Sequence, residues 1–394
     1  MTNEGVIARW RRRRFPHRVR LTTPAIAVRQ RRAITTFRYT TGDPAAYVFT
    51  IDIYGFRDHR HPDRHVGWWR FALPRGEGTA EMQLDFDPVR PESVVVVAGG
   101  AALPLVDSWH HDGYVFDPLG DLKLVIRDAD GQIRRIEQTL LKFFDRDVLR
   151  AFYERQYINE GYTPPTDEPF LWELHEYKKM RLQRLFETLI PAGGSVLDVG
   201  CGRSLFSEID VDFPFTVVAG DLEYAGVRAR AGAVPTQQWL VFDADHAPFA
   251  DQQFDALFAG EIIEHMPDVP ATLAEWHRVL KPGGVVIITT PNRERFLSVA
   301  DRRLRPYSED HLSELSYREL AGPLLADAGF EFVGQSCLHL EIWLTNVWND
   351  DPMDDHLQSC GNTRRNVWLM KRMFALGRAV PWLSMGMIVI GRRR

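Results

Sequence analysis

The sequence predicts an α/β protein in which a doubly wound, Rossmann-like sheet in the C-terminal half is preceded by a smaller β-rich, sandwich-like domain. Two observations lead to this fold class. Between residues 195 and 292, successive short apolar segments each end in a polar residue or a glycine turn, as the buried strands of such a sheet do. From residue 36 to about residue 144, short alternating apolar runs are separated by turn residues and lack helical periodicity.

The first strand of the α/β part is predicted over residues 195–199, where an apolar run breaks abruptly. The residues that follow it are Gly200, Cys201, Gly202, Arg203 and Ser204. Glycine suits this position because the backbone must turn tightly and approach a ligand closely, and a Cβ would occupy that space. A ribose or an apolar ligand edge can then lie against bare backbone.

Acidic residues end the next predicted strands. A run that begins at Phe215 ends at Asp221, where nucleoside-binding α/β folds place an acid for ribose hydroxyls. Two further runs end at Asp243-Ala244 and at Gly260-Glu261. A fifth segment, residues 280–292, combines a helix stop, a tight turn and a buried strand. Each strand is therefore expected to deliver a polar residue to one rim of the sheet.

In this order the residues resemble the class I S-adenosylmethionine (SAM) dependent methyltransferases of types 11 and 12, over roughly residues 170 to 340. VLDVGCGRS is similar to that family's first motif, and DLE, FDAD, FDALFAGEIIEHMPD and RVLKPGGVVIITTPN are similar to its later motifs. The resemblance implies SAM as the cofactor and a seven-stranded sheet. Ser204 stands where the family often has a third glycine, and we expect SAM binding to survive this change.

The same resemblance assigns cofactor roles residue by residue. Asp198, Gly200 and Gly202 are expected to line the methionine part of SAM, Asp221 to hold the ribose, and Asp243 with Ala244 to bracket the adenine. The expected cofactor-binding set is completed by Cys201, Leu222 and Glu261. A nicotinamide dinucleotide fold is the alternative, and it is disfavoured because Leu205 occupies the third glycine position of G-x-G-x-x-G.

A candidate chemical centre follows the fourth strand, at Glu261, Glu264 and His265. If a helix begins there, positions i, i+3 and i+4 share a face and bring two carboxylates and an imidazole together. Such a set suits Mg²⁺, Mn²⁺, Fe²⁺, Co²⁺ or Zn²⁺, and His311 of the later Asp310-His311 pair is the expected fourth metal ligand. E-x-x-E-H with a later D-H resembles the ubiquinone-biosynthesis O-methyltransferases and the small-RNA 3′-end 2′-O-methyltransferases, whose matching residues hold a divalent ion.

Three interpretations of this centre stay open. In the first, the metal lowers the pKa of an acceptor hydroxyl for attack on the SAM methyl group. In the second, His265 is the catalytic general base, Glu264 orients it, and no metal takes part. In the third, Glu261 binds the methionine ammonium of SAM and the other residues are structural.

The expected activity is methyl transfer to a hydroxyl of a sugar, a glycolipid or another small-molecule or secondary-metabolite acceptor. The β-rich domain is expected to help hold that acceptor, and Trp343, Trp348 and Trp368 are candidate walls of its pocket. Two alternatives remain. The first is 2′-O-methylation of an RNA 3′ end, and the second is a catalytically silent SAM-fold scaffold or glycan-binding protein.

Charge is distributed unevenly along the chain. Residues 1–38 hold eleven arginines against one acid, Glu4, although the whole chain has a net charge of −5. We predict a basic arm over residues 1–35, a β-rich domain over 36–145, a helical connector and cap over 146–192, and a methyltransferase domain over 193–394. Residues 1–38 are expected to form a solvated leader, with engagement of an anionic surface or nucleic acid as the alternative.

The composition is that of an ordinary globular protein, with 45% hydrophobic and 26% charged residues. No apolar run approaches the length of a membrane-spanning helix, and the N-terminus lacks the apolar core of a signal peptide. The three cysteines, Cys201, Cys337 and Cys360, show no metal-ligand spacing. Together these features predict a cytoplasmic location.

Two further groups of side chains in the β-rich part invite a binding role. The aromatic residues Trp68, Trp69, Trp109 and Tyr114 are expected in the core or at an interface, with stacking on sugar rings as the alternative. The histidine-rich residues 58–65 are expected to form an exposed loop rather than a metal site, because a proline and charges of both signs are interleaved with the histidines.

Overall fold

The chain divides into two compact units, Met1–Leu149 and Arg150–Arg394. A computed structural model describes residues 18–23, 25–41, 47–55, 65–86, 93–111, 114, 117–128, 133–160, 169–209, 213–234, 237–294, 310–340 and 380–394. Several predicted features lie outside these residues, namely the candidate pocket walls Trp343, Trp348 and Trp368, the loop residues 58–64, and Cys360. Within the described part of the chain, no helix is both long and apolar enough to cross a membrane.

The first unit consists of two β-sheets that share one hydrophobic core. Its strands are β1 Arg18–Leu21, β2 Ala25–Val28, β3 Arg32–Thr41, β4 Tyr47–Gly55, β5 His65–Phe71, β6 Gly76–Asp85, β7 Val94–Ala98, β8 Ala101–Ala102, β9 Leu105–His110, β10 Leu119–Asp128 and β11 Ile133–Phe143. The sheets have the orders β1-β3-β6-β7-β8 and β2-β11-β10-β4-β5-β9. Side chains from both sheets, among them Phe37, Ile51, Met82 and Leu122, form the core. The β-rich, sandwich-like prediction is therefore confirmed.

Part of the predicted basic arm forms strands of this unit, since β1 and β2 lie before residue 36. The density of arginines led to the prediction of an arm. The strands form because the residues between the arginines, such as Val19, Ile26 and Val28, are apolar and buried. Two of the arginines are neutralised locally: Arg31 donates to Asp147 at 2.6 Å and Arg32 donates to Asp85 at 3.1 Å. Residues 1–17 of the predicted arm lie outside the described residues.

The aromatic residues of this unit differ in exposure. Trp69 is 1% exposed and belongs to the core, whereas Trp109 on β9 is 43% exposed. The guanidinium of Arg70 lies 4.1 Å from the ring centre of Trp68. Tyr114 packs against the core. Trp69 therefore lies in the core, which is one of the two predicted locations, and an interface role for Trp109 stays a prediction.

The second unit is a seven-stranded α/β sheet, preceded by two helices. Its helices are α1 Arg146–Glu160 (which begins in the first unit), α2 Pro169–Leu189, α3 Leu205–Glu208, α4 Tyr224–Ala233 and α5 Val269–Val279, and its strands are β12 Ser195–Val199, β13 Thr216–Asp221, β14 Gln238–Val241, β15 Phe254–Gly260, β16 Leu280–Pro291, β17 Phe330–Leu340 and β18 Ser384–Arg393. Short helical turns cover Ile263–His265, Tyr317–Glu319, Leu320–Leu324, Leu325–Asp327 and Pro381–Leu383.

The sheet order is β14-β13-β12-β15-β16-β18-β17. Strands β12 to β16 are parallel, and β18 runs antiparallel between β16 and β17. The doubly wound, Rossmann-like prediction is confirmed. Because β13 and β15 flank β12 on its two sides, the strand order reverses at β12, and ligands of such sheets bind beside this reversal at the carboxyl ends of the strands.

Apolar layers cover both faces of this sheet. On one face, Trp276 of α5 is fully buried in a cluster with residues of β15 and β16. On the other face, the rings of Phe186 from α2, Phe206 from α3 and Phe258 from β15 pack within 6 Å of one another. These layers fix the strands, and they leave the carboxyl ends of β12, β13 and β15 adjacent along one edge.

Gly220 in β13 allows this packing because the ring of Phe242 lies against its backbone. A Cβ at Gly220 would lie 1.9 Å from Cε1 of Phe242 and 2.9 Å from the carbonyl oxygen of Leu240. We therefore expect Gly220→Ala to lower the free energy of unfolding by about 1–3 kcal/mol, as measured by the urea midpoint. The matched control is Gly232→Ala in α4, where no atom lies within 4 Å, and there we expect a gain of roughly 0.5–1 kcal/mol. Equal midpoints for the two variants would contradict this account.

Candidate active site

The glycine turn after β12 is tied to the end of β13. Gly200 and Gly202 adopt left-handed backbone conformations, with φ of 58° and 48°, which glycine reaches without a Cβ penalty. The amide of Gly202 donates to Oδ2 of Asp221 at 2.8 Å. A Cβ on Gly200 would lie 2.5 Å from Cδ1 of Ile262. The turn therefore excludes a side chain at Gly200 and brings bare backbone to the rim. Cys201 between the two glycines is a free thiol.

Asp198 and Ser204 form a buried hydrogen-bonded pair beneath this turn. Asp198 is 1% exposed, and Oγ of Ser204 donates to its Oδ2 at 2.7 Å. Burial raises the pKa of Asp198 to about 7; the hydrogen bond from Ser204 opposes the shift, and the charge of Asp221 adds to it. Ser204 has a φ of 55°, a left-handed conformation that is costly for a residue with a Cβ. The serine therefore adopts the glycine-like conformation and uses its hydroxyl to hold the acid.

The carboxylate of Asp221 faces backbone amides at the start of α4. Oδ1 accepts from the amide of Leu222 at 2.7 Å, in addition to the bond that Oδ2 receives from Gly202. Burial raises the pKa of Asp221 in spite of these bonds. Oδ1 also accepts from the amide of Glu223 at 3.4 Å. A carboxylate has about four acceptor sites, so Asp221 keeps capacity for a hydroxyl donor from a ligand.

The end of β14 lies next to Asp221. The amide of Phe242 donates to the carbonyl of Asp221 at 2.9 Å, which places Asp243 and Ala244 directly after this contact. The carbonyl of Ala244 accepts from the indole nitrogen of Trp276 at 2.9 Å. The backbone of this segment is therefore fixed at the same rim as the glycine turn.

Glu261 departs from the predicted metal set. It has a φ of 55° and its carboxylate accepts from Nζ of Lys178 at 2.7 Å and from Oγ1 of Thr289 at 2.8 Å. Although burial acts to raise the pKa of Glu261, the charge and hydrogen bond of Lys178 outweigh it and hold the pKa below its usual value. The left-handed backbone prevents a helix from starting at Glu261, so the i, i+3, i+4 geometry predicted for this residue does not form. Glu261 is an ion-pair partner of α2 instead.

The other three predicted metal ligands do come together. Glu264, His265 and His311 each offer one ligand atom, and these atoms lie within 4.8 Å of one another. Glu264 is 1% exposed; its Oε2 accepts from Oγ1 of Thr290 at 2.8 Å, and its Oε1 has no hydrogen-bond partner among the described residues. Burial raises the pKa of Glu264 to about 6; the charge of His265 opposes the shift, and that of Glu261 adds to it.

Hydrogen bonds fix the orientation of both imidazoles. Nδ1 of His265 lies 3.0 Å from the backbone carbonyl oxygen of Asp310, and Nδ1 of His311 lies 2.7 Å from Oε1 of Glu314. A carbonyl oxygen only accepts, so Nδ1 of His265 carries the proton and Nε2 is left as the basic or metal-binding nitrogen. Burial acts to lower the pKa of His311, but the hydrogen bond that its imidazole donates to Glu314 and the charges of Glu264, Asp310 and Glu314 raise it. The cluster is therefore a region of negative potential that favours a cation.

Sequence reasoning missed four residues of this centre. Lys178 and Thr289 bind Glu261, Thr290 binds Glu264, and Glu314 binds His311. For Glu314 a local signal existed, because it follows His311 by three residues in a polar segment. Lys178 had no such signal, since it precedes Glu261 by 83 positions.

Comparison with known proteins identifies the class of this domain. Residues 197–288 match a methyltransferase domain family. A probable SAM-dependent methyltransferase of Mycolicibacterium smegmatis is 32% identical over 165 residues, which are 42% of this chain and 61% of that protein. A ubiquinone biosynthesis O-methyltransferase of Xanthomonas axonopodis is 30% identical over 182 residues, covering 43% of this chain and 76% of that protein. A solved SAM-dependent methyltransferase from Archaeoglobus fulgidus is 18% identical, covers 56% of this chain and 94% of its own, and has a TM-score of 0.39.

The chain belongs to the class I SAM-dependent methyltransferase family, as the ordered motifs predicted. Several of its curated relatives are matched over only 49% to 61% of their length. The shared region is the SAM-fold domain, and the β-rich unit lies outside the residues of the matched family.

Substitution of Ser204 separates its strain from its hydrogen bond. Ser204→Ala removes the donor from buried Asp198 and keeps the left-handed residue, so we expect the free energy of unfolding to fall by about 1–3 kcal/mol. Ser204→Gly loses the same bond but relieves the backbone strain, and we expect it to be more stable than the alanine variant by about 1 kcal/mol. Chemical denaturation of the three proteins measures both differences. A glycine variant no more stable than the alanine variant would show that the strain is negligible.

The raised pKa of Asp198 makes stability depend on pH. An acid whose folded pKa is about 7, above an unfolded value of about 3.9, favours the folded state at low pH and loses that contribution as pH rises from about 4 through 7. Asp198→Asn removes this titration and keeps an acceptor for Ser204. We expect the unfolding midpoint of the wild type, measured without SAM, to fall relative to Asp198→Asn as the pH is raised from 5 to 8. A constant difference across that range would rule out the proposed burial cost.

Proposed function

We propose that this chain transfers the methyl group of SAM to a hydroxyl oxygen of a sugar, a glycolipid or another small-molecule acceptor. The observation that carries the proposal is the convergence of Glu264, His265 and His311 beside the rim where the cofactor-type residues meet. Family membership supports SAM as the donor. The naming of relatives as O-methyltransferases supports oxygen as the receiving atom.

In this proposal the cofactor lies along the carboxyl ends of β12 to β15. Asp198 and the turn of Gly200, Cys201 and Gly202 would hold its methionine part, Asp221 would hold its ribose, and Leu222 with the Asp243-Ala244 segment would hold its adenine. Support comes from the bare, left-handed glycine backbone and from the remaining acceptor capacity of Asp221.

The ion pair of Lys178 and Glu261 suits the amino-acid end of SAM. An ammonium and a carboxylate that lie 2.7 Å apart complement a zwitterion that carries the same two charges close together. Glu261 would hold the ammonium of SAM in place of Lys178, and Lys178 would pair with the carboxylate of SAM. Thr289 keeps Glu261 in position throughout, since its hydroxyl donates to the same carboxylate.

His265 is the proposed general base. With its Nδ1 proton held by the Asp310 carbonyl, Nε2 of His265 would take the proton of the acceptor hydroxyl as its oxygen receives the methyl group that SAM would supply when bound. The imidazole would then carry the positive charge. Glu264, with Oε1 at 3.8 Å from Nε2, stabilises that charge.

The same residues fit a divalent metal ion. One carboxylate and two histidines are a frequent donor set for Fe²⁺, Mn²⁺, Co²⁺ or Zn²⁺, and the orphaned Oε1 of Glu264 is a buried acceptor that such an ion would satisfy. Both Nδ1 atoms are held by second partners, as is usual for metal-bound histidines. Glu264, His265 and His311 would hold the ion, which would supply a positive charge that lowers the pKa of an acceptor hydroxyl.

The test combines SAM binding with methyl transfer. We expect calorimetry to detect SAM binding, and mass spectrometry to find one methyl from isotopically labelled SAM on a hydroxyl within a panel of glycosides, glycolipids and RNA oligonucleotides with free 3′ ends. His265→Gln should lower turnover by about 10²–10⁴-fold, with the SAM dissociation constant nearly unchanged. Metal analysis of protein purified without chelators, repeated on Glu264→Gln, tests the ion.

The matched control for His265→Gln is His246→Gln, because the His246 side chain is 72% exposed and lies outside the cluster. Equal turnover in these two variants would remove His265 from the mechanism. Methylation of the RNA ends alone would favour the RNA alternative. No SAM binding by the wild type would favour the silent scaffold.

A further inference from the structure

Two adjacent residues of α1 contact the rim of the sheet at separate places. The ring of Tyr153 lies edge-on to the imidazole of His265, with ring centres 5.8 Å apart and planes at 89°. The next residue, Glu154, accepts through Oε1 from the backbone amide of Tyr224 at 2.8 Å. All four residues belong to the second unit.

These two contacts lie on either side of the glycine turn. His265 follows β15, and Tyr224 begins α4 directly after β13. In the sheet, β12 lies between β13 and β15. A helix that contacts the chain after both of these strands passes across the end of β12, which is where the proposed cofactor site lies.

Tyr153 restrains the orientation of His265. One side of the imidazole is held by the Asp310 carbonyl through Nδ1, and the ring of His311 packs against it with centres 5.0 Å apart. Tyr153 supplies a third contact. Phe152, which is buried, packs edge-on against Tyr153 with ring centres 5.4 Å apart and keeps the tyrosine ring in place.

Glu154 completes the hydrogen bonding of the segment that carries Asp221. The amide of Leu222 donates to Asp221, that of Tyr224 to Glu154, and that of Gly226 to the buried carboxylate of Glu223. Amides in the first turn of a helix have no partners within the helix. Glu154 accepts the bond of the Tyr224 amide, and its negative charge also suits the positive end of the α4 dipole.

We propose that α1 is the cover of the cofactor site and that Tyr153 and Glu154 are its positioning residues. Tyr153 orients His265, and Glu154 holds the start of α4 and thereby the ribose-binding side of the site. This proposal rests on the proposed SAM site and adds to it a helix outside the matched methyltransferase domain. Because α1 contacts the rim at both places, we expect the two contacts to slow the release of SAM.

Stopped-flow and calorimetric measurements on the full chain test the cover without any acceptor. We expect Tyr153→Ala and Glu154→Ala each to raise the dissociation rate and the dissociation constant of SAM by about fivefold to tenfold, as expected for the loss of one ordering contact. The binding of S-adenosylhomocysteine should be weakened to the same extent, because the cover acts on the part of the molecule that it shares with SAM and not on the methyl group. Tyr153→Phe keeps the ring and Glu154→Gln keeps the acceptor oxygen, so both should lie within twofold of the wild type.

The matched control is Arg150→Ala, an exposed position on the same helix, which should leave SAM exchange unchanged. A lower melting temperature with unchanged SAM kinetics in both alanine variants would mean that the contacts are merely structural, and the proposal would be wrong. Hydrogen exchange on the wild type gives an independent check, since SAM should protect peptides of α1 and not those of α5. If the wild type binds SAM but α1 gains no protection, the cover fails and the proposed function stands; if it binds no SAM, both fail.

Discussion

Burial of carboxylates at the ends of parallel strands is the constraint on which the site depends. Asp198 and Glu264 each accept a short hydrogen bond from a hydroxyl group, that of Ser204 or that of Thr290. In these poorly hydrated positions the charged form is disfavoured, which raises the pKa values to about 7 and about 6. A cation that arrives at the rim lowers this cost, and SAM itself carries a sulfonium. The electrostatics of the free protein therefore favour a positively charged ligand.

The site is assembled from two groups of elements. The sheet contributes the inner wall, which consists of the glycine turn, Asp221 and the segment after β14. The helices that precede the sheet contribute the outer wall, since α1 carries Tyr153 and Glu154 and α2 carries Lys178. Only the inner wall lies within the residues that match the methyltransferase family.

In the β-rich unit, a high density of charged residues led to the wrong prediction for a segment that forms strands. Its first three strands run through the arginine-rich region, and their alternate residues are buried. Net charge describes the surface that a segment presents, whereas strand formation depends on the residues between the charges. Local charge therefore marked the region as an arm, although residues 18–41 contain strands of the two sheets.

The sequence by itself determined the fold class, the order of the strand-end residues, and the presence of a carboxylate and two histidines for one centre, because periodicity, glycine turns and motif spacing are local properties. Only the tertiary structure decided which side chains these site residues contact. Glu261 pairs with Lys178 rather than with Glu264, His265 and His311; Tyr153 packs against His265; and Glu314 forms a hydrogen bond with His311. These pairings depend on which residues, distant in the sequence, the folded sheet brings within contact distance. No local pattern of residues encodes that distance.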